Sequence, residues 1–218
     1  MKLKKVAALC SRQGVFRLCD EVREGGEVRQ WLGDGVALYP LDGLPLLDDD
    51  NLCTMFDITE KKRKKCSFRR VEVPEYLCLD DWEQGERCLH DDWPTVEYNG
   101  FVVKPLSTRE GIVFIQNAYL APLEDMADYL QLFERRTASG RTYIVAKNGL
   151  ELTAVIMPMD TIKMGFVDKL EELARMCRLT VNAMEERERR EQEARLAAIV
   201  DPGQKDLFEN DQAAGGET

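Results

Sequence analysis

The sequence predicts an α+β fold in which a unit of one helix and three strands occurs twice. Three observations indicate this fold: helical and strand patterns alternate along the chain, glycine-containing tight turns separate the strands, and the pattern repeats after 114 positions. With 218 residues, of which 44% are hydrophobic, the chain is long enough and apolar enough to bury a core.

The first copy is predicted over about residues 1–40. Four apolar residues share one face of a helix over residues 2–11. Residues 15–22 alternate apolar and polar as a half-buried strand does, and "EVRQWL" and "VALYPL" have the composition of two further strands. Asp34-Gly35 forms the predicted tight turn between the last two, because this pair tolerates the positive φ angles of a hairpin.

The second copy is predicted over residues 115–158. A short helix is expected for "NAYLAPLEDMADY", with Pro122 in the first turn, where a missing N–H is tolerated. "YLQLFERR", "TYIVA" and "LELTAVIMPM" follow as strands, and Asn148-Gly149 marks the hairpin between the last two.

A gapless shift of the chain against itself relates the two copies. Moving the sequence by 114 positions places Gly26 on Gly140 and Gly35 on Gly149. The same shift superposes six apolar positions: Val6, Leu9, Phe16, Leu18, Val36 and Leu38 fall on Leu120, Leu123, Leu130, Leu132, Leu150 and Leu152. The sequence therefore predicts a duplicated helix–strand–strand–strand unit.

An insertion over residues 41–100 separates the copies. Within it, "DDDNLCTMFDI" indicates a short helix, because aspartates satisfy the free N–H groups at a helix start. "FRRVEV" has the composition of a strand, and "VEYNGFVV" that of a hairpin around Asn99-Gly100.

A long helix is predicted over residues 166–200 and a disordered tail over residues 201–218. The helix carries an apolar stripe that we expect to pack on the body, formed by Val167, Leu170, Leu173, Ala174, Cys177, Val181 and Met184. From 185 to 195 charge replaces the stripe, so this part is expected to be solvated or to pair with a partner.

The charge balance argues against unaided nucleic-acid binding. The formal net charge is −10, and an acidic chain is repelled by phosphate backbones. One basic cluster offers a phosphate contact, although a solvated helix end is the favoured interpretation. The cluster consists of Lys61, Lys62, Arg63, Lys64 and Lys65.

Little in the sequence has the pattern of a catalytic or metal site. His90 is the one histidine, and the seven cysteines lack the paired spacing of zinc ligands, so loop or core thiols are expected rather than a metal. Their odd number and scattered spacing indicate reduced thiols in the cytoplasm. No phosphate-binding loop, signal peptide or membrane-length apolar run is found, and we predict a protein that is not an enzyme and needs no cofactor.

The segment "QKDLF" near the end of the chain resembles the short peptide by which bacterial polymerases and repair proteins bind the replicative sliding clamp. That pattern is Gln, any residue, Ser or Asp, Leu, Phe, and its restricted positions are matched by Gln204, Asp206, Leu207 and Phe208. The alternative is that the Leu-Phe pair folds back onto the body. A second such pair, in "DYLQLFE", lies in a predicted strand, where core packing is the better interpretation.

Residues 112–160 weakly resemble the closing part of a bacterial sliding-clamp domain. There, a helix that begins with Asn-x-Tyr-Leu precedes strands that end in a Met-Pro-Met run, as in "NAYL" and "IMPM" here. Such domains contain two copies of a strand–helix–three-strand unit. The chain is too short for a three-domain clamp subunit, and residues 41–100 have no counterpart in that family.

The resemblance implies a non-enzymatic accessory protein of DNA replication or recombination that binds the host sliding clamp, with DNA contacted only indirectly. The chain is also similar in overall style to accessory proteins of prophages and mobile elements. The alternative is a clamp-like α+β module that self-associates, or regulates a helical partner, through residues 167–195.

Overall fold

The chain forms two compact units, Met1–Asp160 and Thr161–Thr218, of which the first contains both predicted copies. The computed structural model describes residues 1–23, 25–90, 93–159 and 163–199. In this part of the chain the helices are α1 (Leu3–Gln13), α2 (Asp49–Met55), α3 (Glu60–Arg63), a 3-10 helix (Asn117–Tyr129) and α4 (Met164–Ile199).

Two sheets are formed by the strands β1 (Val15–Val22), β2 (Val28–Gly33), β3 (Ala37–Pro40), β4 (Ser67–Glu72), β5 (Arg87–Cys88), β6 (Val96–Tyr98), β7 (Phe101–Thr108), β8 (Gly111–Gln116), β9 (Leu130–Arg136), β10 (Thr142–Asn148) and β11 (Glu151–Ile156). The larger sheet has the order β4-β1-β2-β3-β11-β10-β9-β5, and the smaller one the order β6-β7-β8. β1 and β4 pair in parallel, whereas the neighbours elsewhere in the large sheet are antiparallel. The predicted α+β class is confirmed.

The two predicted copies form the same succession of elements with the same strand register. A shift of 114 positions carries the first residues of α1, β2 and β3 onto those of the 3-10 helix, β10 and β11. Arg17 faces Gly33 between β1 and β2, and Gln131 faces Lys147 at the shifted positions of β9 and β10. Between β10 and β11, a β-bulge between Ala146 and Lys147 limits the shared register to the turn side, where Lys147 faces Leu152 as Gly33 faces Leu38. A common origin of the copies stays a prediction, because register describes how they fold and not how they arose.

The copies join edge to edge through β3 and β11, where Leu38 faces Val155. α1 and the 3-10 helix cover the same face of the resulting sheet, with Phe16, Leu32 and Ile144 among the buried side chains beneath them. Because side chains alternate along a strand, the neighbouring residues of these strands point to the opposite face.

The predicted second helix is present but is a 3-10 helix rather than an α-helix. Pro122 lies within it. The proline ring has no N–H and would clash with the carbonyl four residues earlier in an α-helix, so an uninterrupted α-helix is disfavoured here. Buried Tyr119 and Leu123 nevertheless anchor the segment to the core.

The insertion wraps around the large sheet. Its strand β4 pairs with β1 at one edge, and its strand β5 pairs with β9 at the other. Each edge strand carries an arginine that contacts an acid of the neighbouring strand. The two acids, Asp20 and Glu134, occupy equivalent positions of the two copies, 114 residues apart. Arg70 Nε lies 2.6 Å from Asp20 Oδ2, and Arg87 Nε lies 3.8 Å from Glu134 Oε2.

Residues 73–86, here called the crossing segment, cover the sheet face opposite the helices. Leu79 is buried there, and Leu77 packs against the same cluster. The sheet contributes Cys19, Trp31, Leu38, Tyr143, Val145, Leu152 and Val155 to this second core cluster. The insertion thus completes the core rather than forming a separate appendage.

The local elements predicted inside the insertion are confirmed. α2 begins after Asp48, whose carboxylate accepts a 2.7 Å hydrogen bond from the Asn51 N–H. β4 forms in "FRRVEV", and the hairpin turn between β6 and β7 has φ values of 51° at Asn99 and 79° at Gly100. Positive φ at both positions is what this hairpin turn requires.

The long helix α4 agrees with the predicted range to within two residues at its start. Within its apolar stripe, the exposed fractions are 59% for Leu173, 50% for Val181 and 59% for Met184, while Val167 and Leu170 are partly buried. Packing of this stripe on the body would be a contact between the two units, and it stays a prediction. Residues 185–195 are exposed, as predicted.

Candidate functional site

The predicted clamp-binding residues, Gln204, Asp206, Leu207 and Phe208, lie outside the described residues, so their role stays a prediction. The other Leu-Phe pair lies in β9, where Leu132 is buried in the helix-covered core and Phe133 packs on the opposite face. The interpretation of that pair as core packing is confirmed.

The basic cluster lies on α3 and the turn that follows it, and its side chains are exposed. The hydroxyl of Thr59 caps the helix by accepting the Lys62 N–H. Arg63 is engaged within the fold, because its guanidinium lies 2.6 Å from Asp50 Oδ1 and 6.0 Å from the centre of the Phe68 ring.

A groove of about 490 Å³ brings Lys62 together with Lys4 and Arg12 of α1. Apolar residues contribute to its lining, and the carboxylate of Asp57 lies at its border. Sequence analysis missed the contribution of α1, because some fifty residues separate it from the cluster and only the folded chain brings both to one groove. A phosphate contact by this surface stays a prediction.

The residues considered for a metal site do not come together as one. Within the described ranges, no group of three or more histidine, cysteine, aspartate or glutamate side chains could hold a metal ion. His90 and Cys88 are exposed. Burial raises the pKa of the Cys19 thiol to about 11 and that of Cys10 above its ordinary range. Both thiols are therefore protonated near neutral pH, and a protonated thiol is a poor nucleophile.

A buried polar network connects the first copy to the second through Asp34. Its Oδ1 accepts hydrogen bonds from the backbone N–H groups of Val36 (2.9 Å) and Ala37 (3.0 Å). Its Oδ2 accepts a 2.9 Å hydrogen bond from the Tyr119 hydroxyl. The hydroxyl of Tyr39 in turn donates to the Tyr119 carbonyl at 2.6 Å.

These contacts give the network a structural role. Both carboxylate oxygens of Asp34 are engaged, and burial together with that carboxylate raises the pKa of Tyr119 above its ordinary range. A phenol with a raised pKa stays protonated at neutral pH and acts as a hydrogen-bond donor. The network therefore holds the 3-10 helix against the β2–β3 turn.

A second network fastens the crossing segment to the second copy. The fully buried Arg135 donates to the carbonyl oxygens of Cys78 (3.0 Å) and Asp80 (2.9 Å) and, through Nη2, to Glu86 (2.7 Å). Lys147 forms an ion pair with the other oxygen of Glu86. Every charged group named here has a partner of opposite charge within the fold.

Sequence analysis missed both networks. Asp34 was recognised as a turn residue but not as the acceptor of a tyrosine 85 positions away. Arg135 lies in the predicted strand "YLQLFERR", and a strand prediction carries no information on the backbone carbonyls that the arginine binds. Long-range contacts of this kind have no local signal.

The fold and these sites define an α+β protein in which Asp34, Glu86, Arg135 and Lys147 are engaged by hydrogen bonds or ion pairs within the fold. Comparison with protein-family models, with curated proteins and with solved structures finds no match. Among the described helices, α4 included, none has the combination of length and apolar character needed to span a bilayer.

Proposed function

We propose that this chain is a non-enzymatic accessory protein of DNA replication or recombination that acts in the cytoplasm and binds a bacterial sliding clamp. The observation that carries the proposal is the match of Gln204, Asp206, Leu207 and Phe208 to the restricted positions of the clamp-binding peptide. The motif follows the long helix α4, so the body and the motif belong to different parts of the chain.

The chemistry of the motif suits a pocket on a partner. Transfer of Leu207 and Phe208 into an apolar pocket contributes about 1.5–3 kcal/mol per side chain. The amide of Gln204 both donates and accepts hydrogen bonds, which gives the bound peptide a defined register. Asp206 adds a carboxylate that can accept hydrogen bonds from the pocket rim.

The arrangement of the body supports a binding role over a catalytic one. Its buried acids, Asp34 and Glu134, are engaged by hydrogen bonds or ion pairs within the fold. Its buried thiols, Cys10 and Cys19, have raised pKa values. Groups so engaged are poorly suited to general acid–base or nucleophilic chemistry.

The shared register of the two copies supports the interpretation of the body as a relative of sliding-clamp domains. A clamp-like body with an attached peptide that binds the host clamp would suit a phage or mobile-element protein. Such a protein would bring a clamp-like surface to the host clamp.

The test is a direct binding measurement with a purified bacterial sliding clamp, by calorimetry or surface plasmon resonance. The parent chain is compared with the double variant Leu207→Ala/Phe208→Ala and with a matched control, Glu209→Ala/Asn210→Ala. Loss of two buried anchors forfeits about 3–6 kcal/mol of gross burial energy, which is enough to abolish a micromolar interaction. The control should bind as the parent does.

The unfolding temperature separates docking from folding back onto the body. If the pair docks on a clamp, the double variant should unfold at the temperature of the parent. A clear drop in unfolding temperature, together with no clamp binding by the parent, would contradict the proposal, because the pair would then be part of the core.

A second candidate function is self-association through α4, and the exposed apolar stripe of that helix favours it. Mass measurement of the chain in solution addresses this function without a clamp. The two candidates make separate predictions, since loss of Leu207 and Phe208 leaves the α4 surface intact.

A further inference from the structure

The apolar stripe of α4 has the spacing of a two-stranded coiled coil. Six residues recur at alternating intervals of three and four positions, which are the a and d positions of a heptad repeat. They are Val167, Leu170, Ala174, Cys177, Val181 and Met184. A stripe of this spacing fits another helix along its whole length.

The stripe is accessible to such a helix. Ala174, Cys177, Val181 and Met184 are exposed, while Val167 and Leu170 at the start of α4 are partly buried. Beyond Met184 the heptad continues with charge, because the next a and d positions are occupied by Glu188 and Glu191. The apolar seam therefore covers about 18 residues and then ends.

These two glutamates exclude a parallel, in-register pair. In that arrangement each a or d residue meets its own copy, so Glu188 would face Glu188 and Glu191 would face Glu191. Two like-charge layers would destabilise a short seam. An antiparallel pair avoids both layers, because neither glutamate then faces its own copy.

We propose that two copies of this chain associate through an antiparallel pair of α4 helices. In the layers of this pair, Val167 lies opposite Met184 of the second copy, and Leu170 opposite Val181. The central layers combine Ala174 with Cys177, and these small side chains let the two backbones approach closely. The inference is independent of the proposed clamp binding, which uses residues after α4.

Charge complementarity selects this register. The layer that follows Val167–Met184 places Glu188 opposite Lys163 of the second copy. On the flank of the seam, Glu171 lies beside Arg178 of the second copy. The two-fold symmetry doubles each pair, so the antiparallel arrangement forms four ion pairs, whereas the parallel arrangement places Glu171 beside Phe166 and Arg178 beside Leu173.

Cross-linking distinguishes the two orientations. In a background with the exposed thiols removed (Cys88→Ser, Cys177→Ala), the single variants Val167→Cys and Met184→Cys are prepared with tags of different mass and mixed under mild oxidation. A disulfide needs Cα atoms about 4.4–6.8 Å apart. Positions 167 and 184 are about 25 Å apart along one helix. An antiparallel pair therefore permits only the link between position 167 and position 184, and a parallel pair permits only links between identical positions.

The expected result is a disulfide between one Val167→Cys chain and one Met184→Cys chain, with no link between two Val167→Cys chains. Links within each single variant alone would show a parallel pair and overturn the proposal. Absence of links together with the mass of a monomer would overturn it as well. Helix content by circular dichroism confirms that both variants keep α4.

A charge exchange tests the register. Glu171→Arg places the new arginine beside Arg178 of the second copy at each flank of the seam. The dissociation constant of the dimer is expected to rise about tenfold, as for the loss of two exposed ion pairs. The double variant Glu171→Arg/Arg178→Glu restores opposite charges and should recover most of this loss. Asp168→Arg, an exposed position of α4 away from the seam, is the matched control. If the double variant is as weak as the single one, the register is wrong.

Discussion

Tyr119 is the residue on which the contact between the two copies depends most directly. Its side chain is fully buried, its hydroxyl donates to Asp34, and its carbonyl accepts from Tyr39. Removal of one partner from a buried hydrogen bond leaves the other without compensation for its lost hydration. Removal of the Tyr119 hydroxyl would leave the Asp34 carboxylate, at the β2–β3 turn, without this hydrogen bond.

Tyr119→Phe should lower the free energy of unfolding by about 1–3 kcal/mol, because it leaves Asp34 Oδ2 without its donor. Urea denaturation followed by circular dichroism measures the change. Tyr129→Phe is the matched control, since Tyr129 is 74% exposed and should tolerate the loss of its hydroxyl. Equal stability of the two variants would show that the Tyr119 hydroxyl contributes nothing.

Glu86 makes the second network sensitive to acid. Burial by itself would raise its pKa, but hydrogen bonds from Lys147 and Arg135 outweigh burial and hold the pKa below its ordinary value of 4.5. A carboxyl whose pKa is lowered in the folded state stabilises the fold fully above its unfolded pKa. That contribution is lost as the pH falls through the folded pKa.

The parent chain should therefore be more stable than Glu86→Gln at neutral pH, and the difference should shrink as the pH falls below 4.5. Urea midpoints for both chains from neutral pH to about pH 3 measure this difference. A gap that stays constant over the whole range would show that ionisation of Glu86 does not stabilise the fold.

At the scale of the elements, the crossing segment is what closes the second core. It has no helix or strand before β5, and it is held by Leu79 in the apolar cluster and by the carbonyl oxygens that bind Arg135. A further contact comes from Asp81, whose carboxylate accepts the Leu152 N–H at 2.9 Å. Side-chain and backbone contacts together replace the missing secondary structure.

Leu79→Ala should cost about 2–5 kcal/mol of unfolding free energy, the range for a buried leucine that leaves a cavity. Leu150→Ala is the matched control, because Leu150 is 89% exposed at the β10–β11 turn. Denaturant titration of both variants provides the measurement. If Leu79→Ala is no more destabilising than the control, the crossing segment does not contribute to the core.

At the scale of the whole molecule, net charge limits how the chain can meet DNA. The net charge of −10 opposes a phosphate backbone, while the groove with Lys4, Arg12 and Lys62 concentrates positive charge locally. At physiological salt, repulsion by the net charge is expected to outweigh attraction by the groove, since three lysine or arginine side chains release few counterions from DNA.

The isolated chain should therefore not bind duplex DNA at about 150 mM salt, and retention on DNA should require a loaded sliding clamp. Fluorescence anisotropy with a labelled duplex, with and without the clamp, tests this expectation. Binding without the clamp that disappears in Lys4→Ala/Lys62→Ala would contradict it and would assign the phosphate contact to the groove.

The sequence by itself determined the local elements and their order. Strand alternation, the Asp34-Gly35 and Asn148-Gly149 turns and the Asp48 cap are local signals, and each is found where it was predicted. The gapless shift between the copies even carried the register of β1 and β2 onto that of β9 and β10. Such features are readable because residues close in sequence specify them.

Only the tertiary structure decided how these elements share a core. The paths of β4 and β5 to opposite edges, the position of the crossing segment and the partners of Arg135 and Tyr119 join residues tens of positions apart. What covers the α4 stripe is likewise left open by the sequence pattern, since an apolar face has the same pattern whether it packs on its own body or on a second copy. Periodicity determines which face is apolar, and only the packing of the folded chain determines what covers it.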